Sequence, residues 1–392
     1  MPAAGGATDQ LTFGVEEEFL LVDADTLLPA PRARAVLDRT AASSAGHDSG
    51  FHHELCASVV EAASAVCATL PELGARIRSG RAALAASARR ENARLVSVGE
   101  PVLTAAEPEI TATDHFHRMR ESYAGVVTDQ ELCGCHVHVG VPDRDTGVAV
   151  LNHITPWLPT LLALTANSRY RHGADSGFHS WRMMVHTRLP AATMPPWHAS
   201  AAAYDADLAR LVDCGMVEPG QGSLRVARLS RRYPTVEIRI GDAAATVAEA
   251  VLYAALARAL VRRALDDLAV GRTAGPLDHG VLDCALWAAA RHGLHGAAVD
   301  PWRERETRAI DLLDALLAHV RDALDDLGDA AAVTALAAAA RGRGCAATRQ
   351  RAAAATGGAP AVVRMLGAET VAGVRVPDPP GLVDSVRRGG GR

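Results

Sequence analysis

Three short segments of the chain alternate in steps of two: Gly14-Val15-Glu16-Glu17-Glu18-Phe19, Cys135-His136-Val137-His138-Val139 and Thr235-Val236-Glu237-Ile238-Arg239-Ile240. That period belongs to a β-strand, in which residues i and i+2 share a face. Glu16 therefore lies beside Glu18, His136 beside His138, and Glu237 beside Arg239. Glu17 falls on the opposite face and reads as the solvated side of a sheet. If the three strands share one sheet, carboxylates, imidazoles and a guanidinium converge on a single surface. A fold has no need of that convergence, whereas metal-assisted phosphate chemistry does.

The 392 residues are enough to bury a large core. A net charge of −5 lacks the basic surplus of a nucleic-acid-binding protein. No apolar run reaches the roughly 18 residues of a membrane span, and the segment MPAAGGATDQ has neither the basic nor the apolar region of a secretory signal. The seven scattered Cys suit a reducing cytoplasm better than a disulfide framework. Lys is absent; all 40 basic residues are Arg, as an Ala-rich, GC-biased coding sequence would give. The chemical consequence is firm. A P-loop, a Schiff base and a kinase strand each need Lys, so phosphate here must be held by Arg, metal or backbone N–H.

Along the chain, residues 1–9 read as a loose tail and 10–23 as a strand. Residues 24–50 read as loop with a short helix near Ala33–Arg39, and 51–69 as extended or hairpin. A helix begins at Pro71 and runs to about 95, followed by a strand over Arg94–Gly99. Thr113–Val126 reads as a helix capped by Thr113 or Asp114, and 145–166 as one apolar helix. Residues 167–199 look like a long ordered functional loop. Ala201–Val212 reads as a helix, and Leu224–Ser230 and Thr235–Ile240 as neighbouring strands around a turn at 231–234. Thr246 and Glu249 form a capping box for a helix to Val270. Beyond 277 the pattern is helical, over 278–292, 303–327, 329–341 and 345–356. The reading is α+β, with strands confined to the first 240 residues. It divides into a catalytic part at 10–272, a helical part packed on it at 273–375, and a flexible tail at 376–392.

Two further acids, Glu54 and Glu61, lie among apolar neighbours in FHHELCASVVEAASAVC. Clustered, half-buried carboxylates raise each other's pKa and need cations to stay charged. Two divalent ions would neutralise Glu16, Glu18, Glu54, Glu61 and Glu237, and oxygen-rich donors suit Mg²⁺ or Mn²⁺. Cys133 and Cys135 share a face with Val137 and Val139, away from the His pair, so they read as small core hydrophobes rather than zinc ligands. The segment NSRYRHGADSGFHSWRMMVHTRLP gathers Arg169, Arg171, Arg182 and Arg188, and is a candidate for holding a substrate carboxylate or phosphate.

In this order, GVEEEF, the Glu54–Glu61 spacing, CGCHVHVGV, WLPTLLALTANS, GADSGFHSWR, RLP and YPTVEIRIGD resemble the bacterial carboxylate–amine ligases of the glutamate–cysteine ligase type, in the glutamine synthetase-like superfamily. The resemblance runs from about Thr12 to Val270. It implies a curved antiparallel sheet flanked by helices, with the active site in its concavity and a helical C-terminal third. It implies that Glu16, His136 and Glu237 hold one metal ion and that Glu18, Glu54 and Glu61 hold another. Arg239, Arg182 and Arg228 would be catalytic, and His138, Ser230 and Arg239 would contact the nucleotide. The implied reaction uses ATP and Mg²⁺ or Mn²⁺, with two or more ions, to phosphorylate a carboxylate that an amine then attacks. Partners would be small amino acids, carboxylic acids and amines, without nucleic acid or membrane, in a cytoplasmic homo-oligomer.

The resemblance is not uniform. Where the family usually reads Tyr-Trp-Asp-Val-Arg-Pro-Ser, this chain has Leu224-Arg225-Val226-Ala227-Arg228-Leu229-Ser230, and Arg169-Tyr170-Arg171 stands where Pro-Phe-Trp is usual. A Thr that often follows the second metal-binding Glu is absent at Glu61-Ala62-Ala63-Ser64. The metal set is complete while the expected substrate wall is altered, which points to retained metal chemistry with a changed acid or amine. Two other readings use the same residues: a catalytically silent homologue that binds nucleotide or amino acid, and a metal-dependent hydrolase.

Overall fold

The computed structural model describes residues 11–43, 50–104, 107–128, 130–220 and 222–375. The tails read at 1–9 and 376–392 lie outside the described residues.

The sheet forms where the period-two segments are. Its strands are β1 (Phe13–Asp23), β2 (Gly50–His53), β3 (Val59–Ala63), β4 (Ala93–Val96), β5 (Gly134–Gly140), β8 (Ala227–Leu229) and β9 (Thr235–Asp242). A short hairpin, β6 (Tyr170–Arg171) and β7 (Ala174–Asp175), lies apart from them. The order is β2-β3-β1-β5-β9-β8, every pairing is antiparallel, and β4 pairs with the far end of β1. One face carries the Glu and His residues. The other presents Val15, Cys135, Val137, Val236, Ile238 and Ile240, all buried in one large apolar cluster. Cys133 and Cys135 are fully buried and free, as small hydrophobes.

The helices are α1 (Ala33–Ser43), α2 (Leu70–Arg90), α3 (Asp114–Tyr123), α4 (Arg144–Ile154), α5 (Leu158–Thr165), α6 (Trp181–His186), α7 (Ala201–Asp213), α8 (Val247–Ala269), α9 (His279–His292), α10 (Ala309–His319), α11 (Arg321–Asp326), α12 (Ala330–Arg343) and α13 (Ala346–Thr370). The expected capping box is present: the Glu249 N–H donates to Thr246 Oγ1 at 3.2 Å, and the Thr246 N–H donates to Glu249 Oε2 at 3.0 Å. α8 then packs against β5 and β1, and α11 and α12 pack on α8. The apolar cluster therefore runs from Phe13 on β1 to Ala337 on α12 without a break at residue 272.

Several expectations need correction. Glu17 is not solvated; it is 3% exposed and ion-paired to the fully buried Arg81. The apolar helix expected over 145–166 is two helices joined by a 3₁₀ turn at Thr155–Trp157, because Pro156 and Pro159 remove backbone donors. The run Arg144–Thr165 is also long and apolar enough to cross a membrane by length and composition, but it is mostly buried in the protein as a core element. Residues 167–199 contain β6, β7 and α6 rather than open loop. The C-terminal third is not purely helical, since β10 (Ala297–Asp300) and β11 (Arg305–Arg308) form a hairpin whose second strand takes up the start of the expected 303–327 helix. The helix read to residue 356 breaks at Gly357 and Gly358, the latter at φ +66°, and resumes to Thr370.

Candidate active site

Strand register brings the acids together. Glu16 stands opposite His136 across β1 and β5, and Glu18 opposite Glu61 across β1 and β3. In the β5–β9 ladder His138 faces Glu237, and an irregularity interrupts the pairing only beyond, between Val137 and Cys135. Arg228 on β8 faces Glu237 from the other side. Glu54 follows directly after β2 and leans over the Glu61 end of the same surface.

Two three-donor groups result. Ligand-type atoms of Glu16, His138 and Glu237 lie within 4.8 Å of one another, as do those of Glu18, Glu54 and Glu61. The second group is the set expected from the sequence. The first contains His138 where His136 was expected. His138 Nε2 is 3.3 Å from Glu16 Oε1, and its Nδ1 is held by Thr235 Oγ1 at 2.9 Å. His136 sits deeper, with Nδ1 3.5 Å from Glu16 Oε2 and Nε2 3.8 Å from Glu18 Oε1, between the two groups. The Nε2 atoms of both His are buried without a hydrogen-bond partner among the described residues.

The electrostatics split the carboxylates. Burial works against the charge on Glu16, but hydrogen bonds and the fields of His136 and His138 hold it well below the usual range. Burial likewise opposes Glu237, and the Arg239 and Arg228 guanidiniums outweigh it. Arg228 grips Glu237 with two bonds of 2.9 and 3.0 Å, and Arg239 bonds the same carboxylate. Glu54 behaves oppositely: burial and the charge of Glu18 push it up to about 8. Glu61 is driven well above its ordinary value by burial and by Glu54. His136 is kept neutral first by burial and then by Arg239, which is the state that can ligate a metal. A pair of acids raised toward protonation by their own clustering and two buried imidazole nitrogens without hydrogen-bond partners fit a donor set for divalent cations.

A cavity of about 760 Å³ opens over this surface, lined by Glu16, Glu54, Glu61, His138, Glu237 and Arg239 on its floor. Arg228 and Ser230 also line it. Beside it, an apolar cavity of about 380 Å³ runs past Phe13, Gly14, Val66 and Pro234 and shares Glu16, His138 and Tyr233 with it. Sequence reasoning missed three parts of the wall: His52 and His53 on β2, His115 on α3, and the tip residues Arg231, Arg232 and Tyr233. Position was the available signal, since His52 and His53 adjoin Glu54 and the tip joins the two strands that carry Arg228 and Glu237.

The Arg-rich segment does not reach the cavity. Arg169 pairs with Asp175 at 2.9 Å and Arg171 with Glu100 at 2.8 Å. Arg182 is buried on the His136 side of β5 without lining the cavity, 3.8 Å from Asp242, and its nearest backbone acceptors are Arg239 O and Ile240 O at 3.4 and 3.5 Å. The altered strand residues also turn away: Arg225 pairs with Asp207 at 2.9 Å and Val226 is fully buried. Ser230 uses its hydroxyl within the turn, accepting the N–H groups of Arg232 and Tyr233 at 3.3 Å each.

A family model described as glutamate-cysteine ligase family 2 matches residues 12–364. A protein of Saccharopolyspora erythraea named for glutamate–cysteine ligase 2-2 is 47% identical over 95% of this chain and 94% of its own. Among solved structures, a glutamate–cysteine ligase from Francisella tularensis in complex with AMP superposes with a TM-score of 0.65 at 12% identity, over 92% of this chain and 89% of that one. A bifunctional glutathione synthetase from Pasteurella multocida gives 0.67 at 13% identity over 93% of this chain, which spans 53% of that protein's length. At such identities the two structures share the fold.

Proposed function

The chain belongs to glutamate–cysteine ligase family 2, and from that premise we propose that it joins the carboxylate of an amino acid to an amine, glutamate and cysteine or a related pair, at the expense of ATP. It is an ATP-dependent carboxylate–amine ligase. The observation that carries the choice of site is the meeting of two metal-type donor groups, Glu16–His138–Glu237 and Glu18–Glu54–Glu61, on one face with Arg239 and Arg228.

Each group would hold one divalent cation, and bound cations would neutralise charge developing on the transferring phosphoryl group. The chain's own residues supply the rest. Arg239 lies on the floor of the cavity, tethered to Glu237 and 3.4 Å from His136 Nδ1, where it can stabilise phosphoryl or acyl-phosphate oxygens without reorganising. Arg228 fixes Glu237 in place from the neighbouring strand. Thr235 sets the orientation of His138 through Nδ1, leaving Nε2 toward Glu16. The γ-phosphoryl group passes to the substrate carboxylate, ADP leaves, and the amine displaces phosphate to form the amide. The apolar cavity beside His138 is of a size and polarity suited to the nucleoside end of ATP.

The test is ADP release with ATP and Mg²⁺ across a panel of amino acids, with hydroxylamine added to trap the activated acid as a hydroxamate. Acid-dependent ADP release and hydroxamate formation are expected, both lost in Glu16→Gln. Amide-bond hydrolysis without ATP consumption would sink the ligase reading, and undiminished turnover in Glu16→Gln would remove Glu16 from the site.

A further inference from the structure

Glu131, just before β5, is a buried carboxyl that the scheme above does not use. No arginine or histidine pairs with it among the described residues. Burial pushes its pKa up, and what opposes burial is a hydrogen bond from Ser58 rather than a cation. Ser58 Oγ donates to Glu131 Oε1, across more than seventy residues of chain. A buried acid spent on one hydroxyl is costly unless the contact fixes something.

Ser58 sits in the turn that joins two candidate ligands. The turn runs from Glu54, just after β2, to Glu61 on β3. Its outer side is pinned by backbone contacts: Thr111 Oγ1 donates to Glu54 O at 2.6 Å, the Ala33 N–H to Ala57 O at 2.8 Å, and the Leu21 N–H to Ser58 O at 2.7 Å. Its inner side meets the stretch 130–134. Cys56 Sγ donates to Gln130 O at 3.2 Å, Ser58 bonds Glu131, and the Gly134 N–H donates to Glu18 Oε2 at 2.5 Å. That stretch is itself fixed, with the Cys133 N–H on Gly99 O and the Ala243 N–H on Cys133 O, both at 3.0 Å. It therefore places all three acids of one donor group, Glu18 directly and Glu54 and Glu61 through the turn between them.

The other donor group draws its support elsewhere. Glu237 is held by Arg228 and Arg239, and His138 by Thr235. The Glu18–Glu54–Glu61 group has no arginine of that kind bonded to it among the described residues, and its acids raise each other's pKa. Like charges resist being gathered, and a turn free to swing would let them relax apart. Holding the turn beforehand lowers the cost of assembling the three oxygens around a cation.

We propose that Glu131 is a positioning residue for this group: through Ser58 it holds the turn between Glu54 and Glu61 in the shape that gathers Glu18, Glu54 and Glu61. The inference rests on the reading of those acids as cation ligands and adds the residue that presets them. Mn²⁺ titration of the full chain, followed by electron paramagnetic resonance, tests it in two backgrounds. His138→Ala leaves Glu18–Glu54–Glu61 as the complete group, and Glu61→Gln leaves the other. Glu131→Ala or Ser58→Ala, added to His138→Ala, is expected to weaken Mn²⁺ binding about tenfold, and added to Glu61→Gln to change it by less than about twofold. Glu131→Gln keeps an acceptor for Ser58 and should recover most of the affinity. Thermal melts establish that each variant folds; if Glu131→Ala does not, Ser58→Ala carries the test. Unchanged Mn²⁺ affinity in the His138→Ala background overturns the proposal. So does an equal loss in both backgrounds, which would mark a general effect on the fold, and so does a loss in Glu131→Gln as large as in Glu131→Ala, which would mark the charge rather than the hydrogen bond. If the wild-type chain binds no Mn²⁺, the cation reading falls first and takes this role with it.

Discussion

Arg81 grips Glu17 from behind the strand that carries Glu16 and Glu18, with Nη2–Oε1 at 2.6 Å and Nε–Oε2 at 3.1 Å. The remaining donors of the same guanidinium reach Ala244 O, Ala245 O and Thr370 O. All five N–H groups are therefore used, and one fully buried side chain ties β1, the exit of β9 and the end of α13 together. The strands bearing the candidate ligands are pinned to each other on the face opposite the site.

Breaking that pair is expected to be costly. Arg81→Met should destabilise the protein by about 3–5 kcal/mol, because it strands a buried carboxylate and three carbonyls. Adding Glu17→Gln should return part of the loss, since the stranded charge is gone. Urea denaturation monitored by circular dichroism measures both. A double variant no more stable than the single one would show that the carbonyl contacts, not the ion pair, carry the effect.

This pair also shows what the sequence could and could not convey. Alternation placed Glu16 and Glu18, His136 and His138, and Glu237 and Arg239 correctly on shared faces, because strand parity is a local property. Parity put Glu17 on the other face but could not tell solvent from a buried arginine 64 residues away in the chain. His138 stands opposite Glu237 and gathers with Glu16 and Glu237, while His136 stands opposite Glu16, and register across strands is not written in either strand alone. The Arg-rich segment looked like an anion site by composition, yet Asp175 and Glu100 neutralise Arg169 and Arg171. The hairpin at 297–308 was masked by flanking helical composition. Caps, by contrast, are local, and those of α3 and α8 lay where the residues put them.

The two donor groups give different roles to the two histidines. His138→Ala is expected to weaken Mn²⁺ binding by at least about tenfold, since it removes a nitrogen from the Glu16–Glu237 group. His136→Ala should leave that group's three donors in place and have the smaller effect on the same ion. Mn²⁺ titration followed by electron paramagnetic resonance reads both. A larger loss in His136→Ala would reverse the ligand order.

Without divalent cations the protein should lose stability as pH rises above neutrality. Glu54 is pushed from an ordinary 4.5 up to about 8, and Glu61 is also raised, so the folded state binds protons that the unfolded state releases. That contribution is full below about pH 4.5 and disappears as pH climbs through about 8. Histidines kept neutral by burial, such as His136, His186 and His319, act in the opposite sense but only up to their ordinary 6.5. Glu16 and Glu237 are held low and contribute a constant amount above pH 5. Between pH 7 and 8 in EDTA, stability should therefore fall by roughly 1 kcal/mol, and Glu54→Gln should flatten the slope. Saturating Mg²⁺ should abolish the fall in wild type. A flat wild-type profile in EDTA would mean that the acids are neutralised by something other than protons or metal.

Gly134 offers a test of the packing beneath the site. A Cβ there would come within 2.9 Å of His136 Nε2 and closer still to the Arg182 guanidinium, and both side chains are buried with little room to retreat. The Gly134 N–H also holds Glu18 Oε2 at 2.5 Å, so a shift of this residue moves a candidate ligand. Gly134→Ala is expected to cost about 1–3 kcal/mol and to weaken Mn²⁺ binding at the Glu18–Glu54–Glu61 group. Shortening Arg182 in the same chain, as Gly134→Ala with Arg182→Ala, removes one of the two clashes but not the one with His136. Thermal melts and Mn²⁺ titration of the single and double variants separate the two contacts. Recovery of metal affinity in the double variant would assign the damage to Arg182, and persistence of the loss would assign it to His136 and the tether on Glu18.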